Sequence, residues 1–266
     1  MKYIISILLL ILAISCEDPI DNTSGIDTLS TGEHFLWPLE LGNYWGYTSY
    51  DFRGRYDEIE ICNFDTSWAY EGFHSFGVTL DSIPIEPYMY RYEVVGEEYI
   101  RIGDTVYVCH ILDTYNFTSD EYTNFNTPFW AGDDGLYNMG IYGGGDTILS
   151  KGLYIPSNIE LDSPWGGQFP YKQHGFFHAS TVVDRRCLSK TELLTTPIGN
   201  FECYVIFTRI WQAEDIAGWF DYYEYYSPGV GRVCLIRLSV SPVLGPNSYG
   251  AWWLDYLSVI NEIQIN

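Results

Sequence analysis

Apolar and polar positions alternate with a period of two along most of this chain. From Asn43 to Phe52, Trp45, Tyr47 and Ser49 oppose Tyr44, Thr48 and Tyr50. From Arg55 to Cys62, Tyr56, Glu58 and Glu60 oppose Ile59 and Ile61. Successive side chains of a strand point to opposite faces, so the pattern predicts strands. Tyr88–Val95, Glu98–Ile102 and Thr105–Ile111 follow, divided by Gly96 and by Gly103-Asp104, the punctuation of antiparallel hairpins. A second group runs through Thr181–Leu188, Phe201–Trp211, Trp219–Tyr226, Arg232–Val240 and Trp252–Ile265, and no long segment carries a helical period. Between the groups, Phe129–Gln173 is rich in Gly and Pro (Gly143-Gly144-Gly145, Pro156, Pro164, Gly166-Gly167), which predicts long loops among short strands. The expected fold is all-β: a single antiparallel β domain over 33–266, built as a curved meander sheet or an open barrel or sandwich with long Gly/Pro-rich loops.

The first residues depart from that pattern. Lys2 precedes an apolar run from Tyr3 to Ile14 broken only by Ser6, and a small residue stands before Cys16. This is the layout of a secretory signal over 1–15, too short for a transmembrane helix, which needs about 20 apolar residues. Ala13-Ile14-Ser15-Cys16 resembles the lipobox of bacterial lipoproteins, with Ala13 where Leu is usual. The resemblance implies acylation of Cys16, palmitate included, and anchorage in the outer membrane. Each buried methylene of such a chain contributes ~0.8 kcal/mol. The alternative is an ordinary signal peptide cut nearby, with Cys16 incidental. Glu17 and Asp18 resemble the surface-export signal of Bacteroidetes lipoproteins, although a solvated linker would carry them too. Residues 16–32 are polar, rich in turn formers and aperiodic, and read as a lipidated N-terminus with a flexible tether.

Charge narrows the partners. The chain carries a formal charge of −22 with 13 Lys and Arg among 266 residues, so nucleic acid is excluded as a partner and direct docking on anionic lipid is disfavoured. With 24 Tyr and 9 Trp, the domain is far too aromatic to be disordered. Beyond Cys16 stand Cys62, Cys109, Cys187, Cys203 and Cys234. Five thiols cannot all pair, and each lies among strand-like residues that suit buried packing. An export compartment allows one or two disulfides, whose pairing spacing alone does not name.

Three blocks resemble a family of uncharacterised secreted proteins and lipoproteins of Bacteroidetes and related bacteria. Pro38-Leu39-Glu40-Leu41-Gly42-Asn43-Tyr44-Trp45-Gly46-Tyr47 is similar to their Pro-Leu-x-x-Gly-Asn-x-Trp-x-Tyr opening. Thr196-Pro197-Ile198-Gly199-Asn200-Phe201 resembles their Thr-Pro-Ala-Gly-Thr-Phe turn, and Pro228-Gly229-Val230-Gly231 their Pro-Gly-Val-Gly turn. Ile159–Trp165 is a fourth, looser echo. The resemblance implies an antiparallel β fold, of the kind seen in curved-sheet lipoprotein carriers, and implies no activity. Gly42, Gly199 and Gly231 suit turns that need positive φ, and Trp45 a core position.

Catalytic signatures are sparse. Gly-x-Ser-x-Gly, His-Glu-x-x-His, Gly-x-x-x-x-Gly-Lys and Gly-x-Gly-x-x-Gly are all absent from the sequence, and no cofactor is implied. His174 and His178 lie four apart, so on a strand both rings could reach one metal, with Asp184 or Glu202 as third ligand; two solvated loop residues are the plainer alternative. Glu58 with Glu60, Glu97 with Glu98, and Asp133 with Asp134 are acid pairs that solvation explains as well as glycosidase chemistry does. Trp130, Trp165, Trp219 and Trp252 are candidates for stacking on sugar rings, unless a sheet covered on both faces buries them. The expected role is non-enzymatic: an envelope lipoprotein that binds a ligand or envelope protein, or is structural. A carbohydrate-binding surface protein is the second reading, and a lipid or lipoprotein carrier with an apolar cavity the third.

Overall fold

A computed structural model describes residues 27–29, 32, 34–51, 86–123, 126–143, 146–173, 176–211, 219–240 and 252–266. Every regular element within them is a strand: β1 (Asp27–Leu29), β2 (Tyr44–Asp51), β3 (Tyr88–Ile102), β4 (Thr105–Asn116), β5 (Glu121–Tyr122), β6 (Thr127–Gly132) and β7 (Gly135–Gly143) come first. β8 (Asp146–Pro156), β9 (Trp165–Gln173), β10 (Phe176–Thr196), β11 (Gly199–Trp211), β12 (Trp219–Ser227), β13 (Gly231–Val240) and β14 (Trp252–Gln264) complete the series. They form one sheet in the order β8-β7-β6-β4-β3-β2-β14-β13-β12-β11-β10-β9, with β1 and β5 added on β4. All pairings along that path are antiparallel, as short hairpin connections dictate.

The sheet curls until its ends approach. Tyr154 of β8 hydrogen-bonds with Glu224 and Tyr226 of β12, although seven strands (β7, β6, β4, β3, β2, β14, β13) lie between them in the sheet. Trp37, on the segment before β2, touches rings from four strands at once: Trp45, Phe129, Tyr154 and Tyr226. Only a concave inner face brings those strands within reach of one indole. The terminal strands β8 and β9 meet through the Trp165 indole, whose Nε1 donates to the Tyr154 carbonyl at 3.0 Å. The result is a nearly closed, barrel-like sheet, a form that hides most strand edges.

Both faces are buried over the middle of the sheet. Trp45, Tyr47, Thr208, Glu224 and Tyr226 point inward, while Cys203, Val205, Phe207, Tyr223, Tyr225, Cys234 and Ile236 are buried on the outer face. Each large apolar side chain removed from water there contributes about 1.5–3 kcal/mol. Cys109, Cys187, Cys203 and Cys234 are free and buried, so no disulfide forms among these four. Burial pushes their thiols up, to about 12 for Cys109 and Cys203 and about 11 for Cys187.

The sequence blocks meet in space. Trp45 Nε1 donates to the Val230 carbonyl, Tyr47 Oη to the Arg232 carbonyl at 2.6 Å, and Gly229 N–H to the Phe35 carbonyl at 2.8 Å. The opening block therefore closes over the β12–β13 turn. Gly42, Gly199, Gly229 and Gly231 all have positive φ, as such turns require.

Three expectations need correction. Residues 129–173 are mostly strand (β6 to β9), and the longest described connection there is 157–164, because their Gly and Pro mark tight hairpin turns and strand ends rather than long loops. Gly96 does not divide two strands: β3 runs on to Ile102, with a register shift between Val94 and Gly96. A glycine inside a strand pattern often marks such a bulge. Finally, the segment 16–32 read as a tether is docked at Asp27–Leu29, which pairs in parallel with Thr105–Tyr107.

Candidate functional site

Inside the barrel, alternation places Glu224 and Tyr226 of β12, Thr208 of β11 and Tyr154 of β8 around one point. Glu224 Oε1 accepts from Tyr154 Oη and Tyr226 Oη, each at 3.1 Å, and from Arg232 Nη1 at 3.3 Å, while Oε2 accepts from Thr208 at 3.3 Å. Glu224 and Arg232 are 5% and 7% exposed, so this ion pair is held out of water. The remaining Arg232 nitrogens, Nε and Nη2, make no hydrogen bond among the described residues; its guanidinium carbon lies 5.0 Å from the Tyr92 ring and 5.6 Å from the Tyr47 ring. Arg185 packs 4.6 Å over the Tyr154 ring. Burial raises the phenols of Tyr47, Tyr154 and Tyr226. A fully enclosed carboxylate with four donors is a structural bolt, with no open side for a reacting molecule.

A second constellation is accessible. Tyr44 neighbours inward-facing Trp45, and Arg91 lies between inward-facing Tyr90 and Tyr92, so both project outward. Arg91 opposes Tyr115, two residues before Phe117 on the same face, and Tyr122 of β5 opposes Tyr115 on the far side. The Arg91 guanidinium lies 4.9 Å from the Tyr44 ring, 5.2 Å from Tyr115 and 5.8 Å from Phe117. Tyr115 meets Phe117 and Tyr122 edge-on at 5.1 and 5.2 Å. Carboxylates ring the platform: Tyr44 donates to Glu262 at 2.8 Å, Tyr122 to Glu93 at 2.9 Å, and Tyr115 to Asp120. Arg91 completes an ion pair with Glu93 at 3.0 Å. The hydrogen bond to Glu262 raises the Tyr44 phenol and that to Asp120 raises Tyr115, while burial, followed by Glu93, raises Tyr122. These phenols therefore stay neutral donors, their rings locked by partners. Phe117 is 42% and Met89 50% exposed beside them. Phe117 is exposed and Tyr44, Tyr115 and Tyr122 are half-buried, with Arg91 over one face of Tyr44, Tyr115 and Phe117. The accessible part of such fixed rings, bordered by hydrogen-bond acceptors, can stack on a ligand ring and receive its hydroxyl protons.

The residues singled out from sequence fall elsewhere. Trp130 packs on Tyr107 and Tyr137 with Lys151 Nζ 4.5 Å over its ring, and at 8% exposure its burial leaves no room for a ligand. Trp165 is half-buried at the β8–β9 seam. Trp219 lies opposite Trp211 and Val240, and Val240 opposite Trp252, which puts Trp211, Trp219 and Trp252 on one row across the sheet. Cys16, Cys62, His174, Glu58 and Glu60 lie outside the described residues.

His178 pairs with Tyr171 near the start of β10. Glu202 opposes Leu193, some fifteen residues further along that strand or ~50 Å, and Asp184 is ~20 Å along it, so neither completes a metal site with His178. Among the described residues no group of three or more His, Cys, Asp or Glu is arranged to hold a metal ion. Glu97 faces His110 at 3.6 Å, and Asp134 accepts from Tyr137 at 2.5 Å. The platform residues were not singled out in the sequence; their signal was the same alternation that marks Trp45 as core, together with the two-residue spacing of Tyr115 and Phe117.

No family model matches the chain, and no curated protein matches it. Two solved structures are similar to it. One is a candidate exported protein with a YmcC-like fold from Bacteroides fragilis, at 15% identity and a TM-score of 0.45, covering 87% of this chain and 100% of that one. The other is a candidate lipoprotein from Parabacteroides distasonis, at 15% identity and a TM-score of 0.45, covering 88% of this chain and 100% of that one. At that level of likeness neither passes on an activity or an address.

Proposed function

We propose that this chain is an exported, lipid-anchored protein of a bacterial envelope whose β domain binds a ligand or partner rather than transforming one. The address rests on the signal at 1–15 and the lipobox-like Ala13-Ile14-Ser15-Cys16. The observation that carries the binding role is the outer platform of Tyr44, Tyr115, Phe117 and Tyr122 around Arg91, where rings are fixed before any ligand arrives. Rings held in place lose little freedom on binding, and that is the economy of a recognition surface. We place the protein in the outer membrane; Glu17 and Asp18 favour its outer face.

The ligand class favoured is carbohydrate. Sugar rings stack on aromatic faces, and Glu93, Asp120 and Glu262 provide acceptors for hydroxyl groups while repelling anionic polymers. Carriage of a lipid or lipoprotein would need an apolar cavity. The described concave face is instead occupied by Trp37, Tyr47, Tyr154, Tyr226 and the Glu224–Arg232 pair. Two measurements test the reading. Labelled palmitate should enter the wild type and not Cys16→Ala, which should leave the membrane fraction. In native gels cast with neutral polysaccharides, the soluble domain should be retarded and a Tyr115→Ala/Phe117→Ala variant should not. Unretarded migration of the folded wild type through every polysaccharide would reject the glycan ligand.

A further inference from the structure

β1 fixes where the lipid tether leaves the domain. Asp27 pairs with Thr105 and Leu29 with Tyr107, in parallel, so the chain preceding Asp27 departs past the start of β4, at the β3–β4 turn Gly103-Asp104. One side of that hairpin packs on β6 and β7, with Ile100 and Tyr107 buried against Trp130 and Met139, and its other side is open. β2 covers β3 only as far as Tyr44 opposite Glu93, and the nine residues of β3 beyond it extend ~30 Å further. Toward the tip Tyr99 is 76% exposed, and Arg101 is exposed with its Nε donating to Gly103 O at 3.1 Å. Glu97, Glu98 and Asp104 are exposed with them, so the tip is aromatic and mildly acidic.

From these placements we infer that the β3–β4 hairpin is the membrane-contacting end of the molecule, its partner being the headgroup layer of a zwitterionic bilayer. The inference rests on acylation of Cys16. Ten residues lie between Cys16 and Asp27, which makes eleven Cα–Cα steps. Fully extended they span ~36–40 Å, and as a flexible chain ~17–20 Å. The root of β1 therefore stays near the bilayer. The opposite end of β4, at the 117–120 turn, lies ~40 Å away along the strand. Exposed Tyr at a hairpin tip suits the interface, where aromatic side chains settle at headgroup level, and Arg101 suits the phosphates there. The acids, and the −22 charge of the whole chain, turn the tip away from anionic lipid. This orientation carries the Tyr44–Arg91–Phe117 platform to the membrane-distal half, free for a ligand.

The test uses the full lipidated chain in phosphatidylcholine vesicles containing a headgroup-nitroxide lipid. A fluorophore is attached at Asp104→Cys or at Ser119→Cys, both exposed turn positions, in a Cys62→Ser background. Fluorescence at 104 should be lost to quenching while that at 119 persists, and Tyr99→Ser should weaken the loss at 104. Equal quenching at both positions, or stronger quenching at 119, overturns the orientation. Absence of palmitate from the purified chain overturns the anchor, and the orientation with it; labelled palmitate measured on the same preparation tells the two failures apart.

Discussion

Gly231 sits where the β12–β13 turn meets the opening block, and alanine there should unfold the protein early. Its φ is +104°, and a Cβ built on it would stand 2.7 Å from Trp45 Nε1, 2.9 Å from Trp37 Cδ1 and 3.1 Å from Trp45 Cε2. Those indoles cannot swing away. Trp45 is fully buried and bonded to the Val230 carbonyl, and Trp37 is wedged among Trp45, Phe129, Tyr154 and Tyr226. Two costs add. A non-glycine residue in a positive-φ conformation costs about 1–3 kcal/mol, and overpacking a tight core costs about 1–3 kcal/mol. Their sum is about 2–6 kcal/mol, and at ~2–4 °C per kcal/mol for a domain of this size the Tm should fall by about 4–24 °C. Gly229, two residues earlier in the same turn, is the internal control: φ is +71°, but nothing lies within 4 Å of its added Cβ. Gly229→Ala therefore carries the backbone cost alone. Urea and thermal unfolding of both variants, followed by near-UV circular dichroism of the buried Trp residues, measures the difference. Equal losses for the two substitutions would refute the clash and the convergence of the blocks that it represents.

Other expectations are simpler. Glu224→Ala leaves Arg232 charged and enclosed, and should cost about 3–5 kcal/mol in urea unfolding, whereas Glu224→Gln/Arg232→Met should be milder; a loss under about 1 kcal/mol for Glu224→Ala would show that the pair is not the bolt described. Cys109, Cys187, Cys203 and Cys234 should ignore a thiol reagent in the native protein and react in denaturant without any reductant, and a need for reductant would reveal a disulfide. Burial lowers His34 below its ordinary 6.5, so the unfolded chain takes up the proton first. The stability tied to the neutral ring is complete above about pH 6.5 and is lost as pH falls through the depressed folded value. His34→Asn, which keeps an acceptor for the Leu36 N–H, should flatten that acid-side slope in urea midpoints measured from pH 7 downward, and an unchanged slope would assign it elsewhere.

The strands were legible because their cause is local. Alternation in 43–52, 201–211, 219–226 and 232–240 follows from the pleat itself, and the observed strands agree with those spans to within a residue or two at each end. Turn glycines were legible too, since positive φ is a property of one residue: Gly42, Gly199 and Gly231 bear it out. Local reasoning failed where a residue has two uses. Gly96 reads as a break but is a bulge, and the glycines of 129–173 read as loops but serve strands and hairpin turns.

What the tertiary structure alone decided is which residues become neighbours across the curl of the sheet. Tyr154 and Glu224 are 70 residues apart and meet only because β8 is brought round to face β12. Trp130 is an aromatic residue like Tyr115 when read in the chain, and each ring lies under a cation, yet Trp130 is buried beneath Lys151 while Tyr115 stays half-buried beneath Arg91 beside exposed Phe117. Period-two alternation assigns a side chain to one of two faces, and says nothing of which face is concave or what lies against the other. With both faces buried across β11–β13, polarity no longer distinguishes inside from outside, so the order and curvature of the strands had to settle which rings are core and which lie nearer the surface.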